Sequence, residues 1–80
     1  MADLNTFDIE LDTLGLTCPM PMLKTKKAIG GMKSGQILRV LGDDPGSKND
    51  IPGFLDKNGH ELLAMEDVPE GYTVYIIRKG

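Results

Sequence analysis

Two strand-like runs flank a helix-like run in the first half of this chain, and that pattern leaves few folds open. Phe7, Ile9 and Leu11 alternate with Asp8, Glu10 and Asp12, so residues 7–14 predict a strand with one apolar and one wet face. Residues 36–41 are almost continuously apolar, as an interior strand is. Between them Met22, Thr25, Ile29 and Met32 recur at helical spacing with Ala28 beside them, which predicts a helix over 19–32. Strands joined through a helix run parallel, with a right-handed crossover.

The second half repeats the theme and then changes it. A helix is expected within 47–58, where Ser47 to Asp50 resembles a capping box. Pro52 sits inside that stretch, so either the helix kinks there or Asp50 is the true cap. Residues 60–66 and 72–78 read as strands, and Pro69-Glu70-Gly71 between them supplies hairpin chemistry. The expected order is β-α-β-α-β-β. It makes an α/β (α+β) two-layer sandwich, a four-stranded mixed sheet with two helices packed on one face. Eighty residues make a single domain, 1–80, with a thin core.

Composition narrows the function. The net charge is −3, aromatic content is 5% and Trp is absent, which argues against direct nucleic-acid binding. No apolar run is long enough to span a bilayer and the first ten residues do not resemble a signal peptide, so a cytoplasmic protein without membrane insertion is expected. One cysteine allows no intrachain disulfide, consistent with a reducing compartment.

That cysteine, Cys18, falls between the first strand and the first helix, in Cys18-Pro19-Met20-Pro21. With Pro19 as the first helical residue, Cys18 takes the N-cap, facing unsatisfied amides and the positive end of the helix dipole. Both favour the thiolate. Lys24, Lys26, Lys27 and Lys33 follow with no acid among them, in a chain that is otherwise acidic. A redox C-x-x-C would need a second thiol where Pro21 stands, so no internal dithiol cycle is possible. A lone thiolate can instead hold a sulfane sulfur as a persulfide, with no neighbouring thiol to strip it off. Pro19 and Pro21 stiffen the turn beside it. The plain alternative is that Cys18 is a small buried hydrophobe, as most free cysteines are.

The residues Asp12-x-x-Gly15-Leu16-x-Cys18-Pro19-x-Pro21, then Lys26-Lys27, Gly35, Asp43-Asp44-Pro45, Asp50-Ile51-Pro52, Gly59-His60 and Ile77-Arg78-Lys79 resemble the TusA/SirA-like sulfur-carrier family over nearly the whole chain. The resemblance implies the same two-layer fold and a persulfide on Cys18. It implies a sulfur donor, a cysteine desulfurase or a rhodanese-like protein, and an acceptor protein with a cysteine. The acceptor's pathway would be tRNA thiolation, molybdenum-cofactor assembly or other sulfur metabolism. Other branches accompany thiosulfate uptake or decomposition. Met20 stands where the tRNA-thiolation branch carries an acidic residue. The resemblance also implies that the acids after the second strand, Asp44 in particular, shape the loop near the cysteine.

The remaining candidates have plainer readings. Asp43-Asp44-Pro45 could be acid/base machinery, but turn initiation is the simpler role. His60 could serve Cys18 as a base, yet it begins the third strand, far along the chain. One Cys and one His fall short of a zinc site, so no metal and no cofactor are expected. Met22 and Met32 fit a core face, whereas Met20, Lys26 and Lys27 are expected to face a docking partner. The expectation is a monomeric sulfur shuttle that depends on two protein partners, more relay than self-sufficient enzyme. The competing expectations are a thiosulfate-decomposing thiol protein and a regulatory interaction module.

Overall fold

The computed structural model describes residues 7–17 and 19–80. The elements are β1 (Ile9–Asp12), α1 (Met20–Gly30), β2 (Ile37–Gly42), α2 (Ser47–Lys57), β3 (Glu61–Asp67) and β4 (Thr73–Arg78). The sheet order is β1-β2-β4-β3, with β1 parallel to β2 and the other pairs antiparallel. The β-α-β-α-β-β succession and the four-stranded mixed sheet are those expected.

β2 and β4 are the interior strands, and both are rich in buried residues. Leu38 and Val40 on β2 and Tyr75 and Ile77 on β4 pack against Ile29 and Met32 from the α1 side and Ile51 and Leu55 of α2. The spacing of Ile51 and Leu55 puts them on one helical face, and each such buried side chain contributes about 1.5–3 kcal/mol of transfer free energy. Val74 and Ile76 point to the opposite face of the sheet, yet they too are buried.

Four expectations change. The strand expected over 7–14 is confined to Ile9–Asp12 and lies at the sheet edge, so Phe7 and Ile9 remain exposed. α1 starts at Met20 with Pro19 at the N-cap position, one residue later than the spacing suggested. The cause is a turn in which the Met20 N–H donates to the Thr17 carbonyl. α2 runs unbroken from Ser47 through Pro52, so Asp50 lies within it. Its N-cap is Gly46 and no side chain caps it, so the capping box does not form. Pro52 leaves the Lys48 carbonyl without its usual helical donor, a cost set against full burial of Ile51 and Leu55 on either side.

Candidate functional site

The end of the sheet where β1 and β2 finish carries the loop that leads to residue 18. Thr13 leaves β1 fully buried, and both its N–H and its hydroxyl donate to the Leu41 carbonyl, at 2.8 and 2.6 Å. The Leu14 N–H donates to the Asp12 carboxylate at 2.8 Å, closing a tight local turn. Gly15 then adopts φ of +80°, a conformation that a side chain disfavours. Its N–H donates to the carboxylate of Asp43, just beyond β2. The 13–17 loop is thus tied to β2 at Leu41 and to the next loop at Asp43.

Gly42 fits between these features. A Cβ there would lie 3.2 Å from the Thr13 hydroxyl and 3.6 Å from the Tyr75 ring. The Tyr75 hydroxyl is buried, with no hydrogen-bond partner among the described residues. Burial, with the nearby Asp67 and Asp44 charges, pushes Tyr75 up to about 12.

Cys18 itself lies outside the described residues. Its neighbours define the mouth of the site. Pro19 is exposed, whereas Pro21 is buried in the first turn and its carbonyl accepts from the Thr25 hydroxyl at 2.8 Å. Among the first helical amides, that of Met20 is spent on Thr17 and Pro21 has none. The helix start therefore offers fewer open donors than the sequence implied. Met20 is 42% exposed and Leu23 is 44% exposed, an apolar surface on the first turn of α1. Lys26 and Lys27 are both exposed, and Lys27 lies with Lys24 along a groove between α1 and β1.

The two acids after β2 face different ways. Asp43 holds Gly15, while the Asp44 carboxylate lies 3.4 Å from the Ser47 hydroxyl. The resemblance gave both acids, Asp44 in particular, a part in shaping the loop near the cysteine; the bond to that loop, at Gly15, is made by Asp43. The parallel register held the signal: Asp12 is level with Leu41, so the residues just past each strand are neighbours. Both acids line an open cleft of about 270 Å³ with Lys48, Asp67 and Thr73. Hydrogen bonds from Lys48, at 2.8 Å, and from Thr73, at 2.6 Å, hold Asp67 below the usual carboxylate range. Among the described residues, no group of three or more His, Cys, Asp or Glu is placed to hold a metal ion.

His60 lies at the far end of the sheet. It precedes Glu61, which pairs with Arg78, whereas the 13–17 loop leaves beside Leu41 and Gly42. The His60 Nδ1 accepts from the Gly80 N–H at 3.0 Å, and its ring lies 6.1 Å from that of Phe54. The fold therefore separates His60 from the loop before residue 18.

The family model described as Sulfurtransferase TusA matches residues 9–79. This chain belongs to the TusA family. The sulfur carrier protein TusA of Allochromatium vinosum is 46% identical over 79 residues, spanning 99% of this chain and 97% of that protein. The crystal structure of a SirA-like protein from Desulfitobacterium hafniense superposes with a TM-score of 0.82 at 26% identity, over 91% of this chain and 99% of that one. The family relationship covers both the loop before residue 18 and the strand ends that hold it. No helix among the described residues is long and apolar enough to cross a membrane.

Proposed function

We propose that this chain is a cytoplasmic sulfur carrier that holds a sulfane sulfur as a persulfide on Cys18. The observation that carries the reading is the place of the only thiol in the chain. It follows a loop pinned by Thr13 and by Asp43, in a chain that belongs to the TusA family. Its relative from Allochromatium vinosum bears the name sulfur carrier protein.

The Cys18 thiolate attacks the outer sulfur of a donor protein's persulfide. The new S–S bond forms at Cys18, the donor's S–S bond breaks, and the donor's cysteine leaves as thiolate. An acceptor's cysteine thiolate then attacks the outer sulfur on Cys18, and Cys18 leaves as thiolate. Neither step consumes an external oxidant or reductant, and neither needs a metal. A second thiol nearby would drain the persulfide internally, and this chain has none. The donor is a cysteine desulfurase or a rhodanese-like protein, and the acceptor presents a cysteine. Exposed Met20, Lys26 and Lys27 on α1 give such partners an apolar and cationic surface. The carrier works as a monomer with transient partners and makes no direct use of nucleic acid.

Intact-mass spectrometry tests this after incubation with a cysteine desulfurase and cysteine, wild type beside Cys18→Ala. The expected result is a reducible gain of about 32 Da, one sulfur atom, on the wild type alone. If neither this donor nor a rhodanese with thiosulfate loads the protein, the carrier reading falls and an interaction module with an inert thiol takes its place. Sulfide release from thiosulfate by the protein alone would instead identify a thiosulfate-decomposing protein.

A further inference from the structure

The open cleft of about 270 Å³ beyond the end of β2 sets three carboxylates, those of Asp43, Asp44 and Asp67, against one ammonium, that of Lys48. Lys48 is spent on Asp67, at 2.8 Å. The Asp43 oxygens share the one Gly15 N–H, and a carboxylate has room for about four donors. The Thr73 hydroxyl donates to Asp67 at 2.6 Å, which leaves its lone pairs for a donor. The half-buried Tyr72 lines the same cleft. The walls are thus rich in acceptors, and their one cation is already paired.

A buried group beneath the cleft lacks a donor or acceptor of its own. Tyr75 is fully buried, and its hydroxyl has no hydrogen-bond partner among the described residues. Tyr75 is level with Val40, yet its Cε1 lies 3.6 Å from where a Cβ on Gly42 would stand, two residues further along β2. The side chain therefore leans toward the strand end where Gly42 meets Thr73, and Thr73 lines the cleft. Asp67 and Asp44, also in the cleft walls, are the charges that act on the hydroxyl. A buried hydroxyl without a partner is costly, and a ligand that supplies one recovers that cost.

The acceptors call for a cation with several donors. Among the described residues, no three acids are placed to hold a metal ion. A guanidinium is broader than a metal ion: it spreads five N–H donors over a planar fork and stacks on an aromatic face.

We propose that this cleft is a subsite for the guanidinium of an arginine on a protein that docks beside Cys18. Its N–H groups donate to the Asp43 carboxylate, the Thr73 hydroxyl and the Tyr75 hydroxyl oxygen, and its plane stacks on the Tyr72 ring. Asp43 ties the cleft to the sulfur: it holds Gly15, three residues before Cys18, which is at most about 11 Å of chain. An interface of ordinary size, about 800 Å² a side, spans both. The inference rests on the carrier reading for the partner and adds what that partner presents.

The test titrates arginine blocked at both ends, so that only its side chain is charged, into the isotope-labelled full chain, with amide shifts followed by NMR. Blocked lysine, blocked citrulline and free arginine are run beside it. Blocked arginine is expected to shift residues 43–48 and 67–75 saturably and to bind more tightly than blocked lysine. Citrulline, which keeps the shape without the charge, is expected not to saturate. Tyr75→Phe is expected to weaken arginine binding about fivefold or more, and Tyr72→Leu about two- to fivefold. Unchanged dispersion in the spectra checks that each variant is folded. Absence of saturable shifts, shifts centred elsewhere, lysine or citrulline binding as tightly as arginine, or full binding by both variants would overturn the proposal. Tighter binding of free than of blocked arginine would overturn it too, because the ligand would then be an amino acid and not a partner's side chain. No probe carries sulfur, so failure here leaves the loading of Cys18 to its own experiment, and failure of loading does not alter these shifts.

Discussion

Both carboxylate oxygens of Asp43 lie 3.1 Å from the amide nitrogen of Gly15, twenty-eight residues earlier in the chain. The contact joins the loop after β1 to the loop after β2, so the approach to residue 18 is fixed from outside its own segment. A carboxylate accepting from an amide is stronger than a neutral pair, though exposure to water reduces its net worth to about 1 kcal/mol. Asp43→Ala is therefore expected to cost about that much in urea denaturation. Its larger effect is expected on transfer: sulfur loading of Cys18 by a protein donor slows several-fold, while loading by a small-molecule persulfide changes little. Asp43→Asn keeps one acceptor oxygen and is expected to restore most of the rate. Equal slowing with both donors would show that the contact does not order the loop for a partner.

Gly42 gives a second, independent prediction. Its backbone is ordinary, so only space decides what a side chain does there. At 3.2 Å from the Thr13 hydroxyl, a methyl group is tighter than ordinary contact, and Thr13 is held by its bond to Leu41. Gly42→Ala is expected to destabilise the protein by about 1–2 kcal/mol. Combining it with Thr13→Ser, which keeps the crowding hydroxyl, is expected to leave the cost in place, whereas Thr13→Ala relieves it. The measurement is the urea midpoint of the single and double variants.

Several of these features were legible in the chain and others were not, for identifiable reasons. Residues 36–41 announced an interior strand because continuous apolar character reflects burial on both faces, and β2 has that position. Gly71, with φ of +100°, closes the turn foreseen from Pro69-Glu70-Gly71. The alternation of Phe7, Ile9 and Leu11 gave the strand but not its place at the edge, because periodicity carries no information about how many neighbours a strand has. Pro52 argued locally for a break in α2. The apolar spacing of Ile51 and Leu55 overrode it, since burial of both outweighs one missing helical bond. The Asp43–Gly15 contact escaped because it depends on register, which single-chain patterning does not set. Asp44, Met20, Lys26 and Lys27 stood out by motif, and their roles are for the partner experiments to decide.

The pairing around Asp67 links the far strand to α2 and predicts an acid response. Lys48, and after it Thr73, hold the Asp67 carboxyl below its ordinary 3.8 in the folded chain. Its contribution to stability is therefore fully present above that value and is lost as pH falls through the lower, folded value. Asp67 is exposed, so the effect is small and weakens with salt. Asp67→Asn is expected to flatten the stability profile below pH 3.8 while leaving its shape at neutral pH unchanged. Urea midpoints taken across that range check it, and parallel profiles for both proteins would rule the interaction out as a contributor.

Tyr75 supplies the alkaline counterpart. Its ring is fully buried, and its hydroxyl has no partner among the described residues. Ionisation there would place a charge in an apolar site near Asp67 and Asp44, which is why its value rises from 10.0 to about 12. The folded state thus disfavours the tyrosinate more than the unfolded state does. The associated stability is present below 10 and is lost as pH rises towards 12. Tyr75→Phe removes both the titration and the unsatisfied oxygen while keeping the ring. Deleting a hydroxyl that makes no bond sacrifices no hydrogen-bond energy, so the variant is expected to match the wild type within about 1 kcal/mol or exceed it. It is also expected to lose the slow absorbance rise of tyrosinate above pH 10 that Tyr75 contributes. A loss of about 2 kcal/mol or more at neutral pH would mean that the hydroxyl does find a partner, for instance an ordered water held with Asp67 or Asp44.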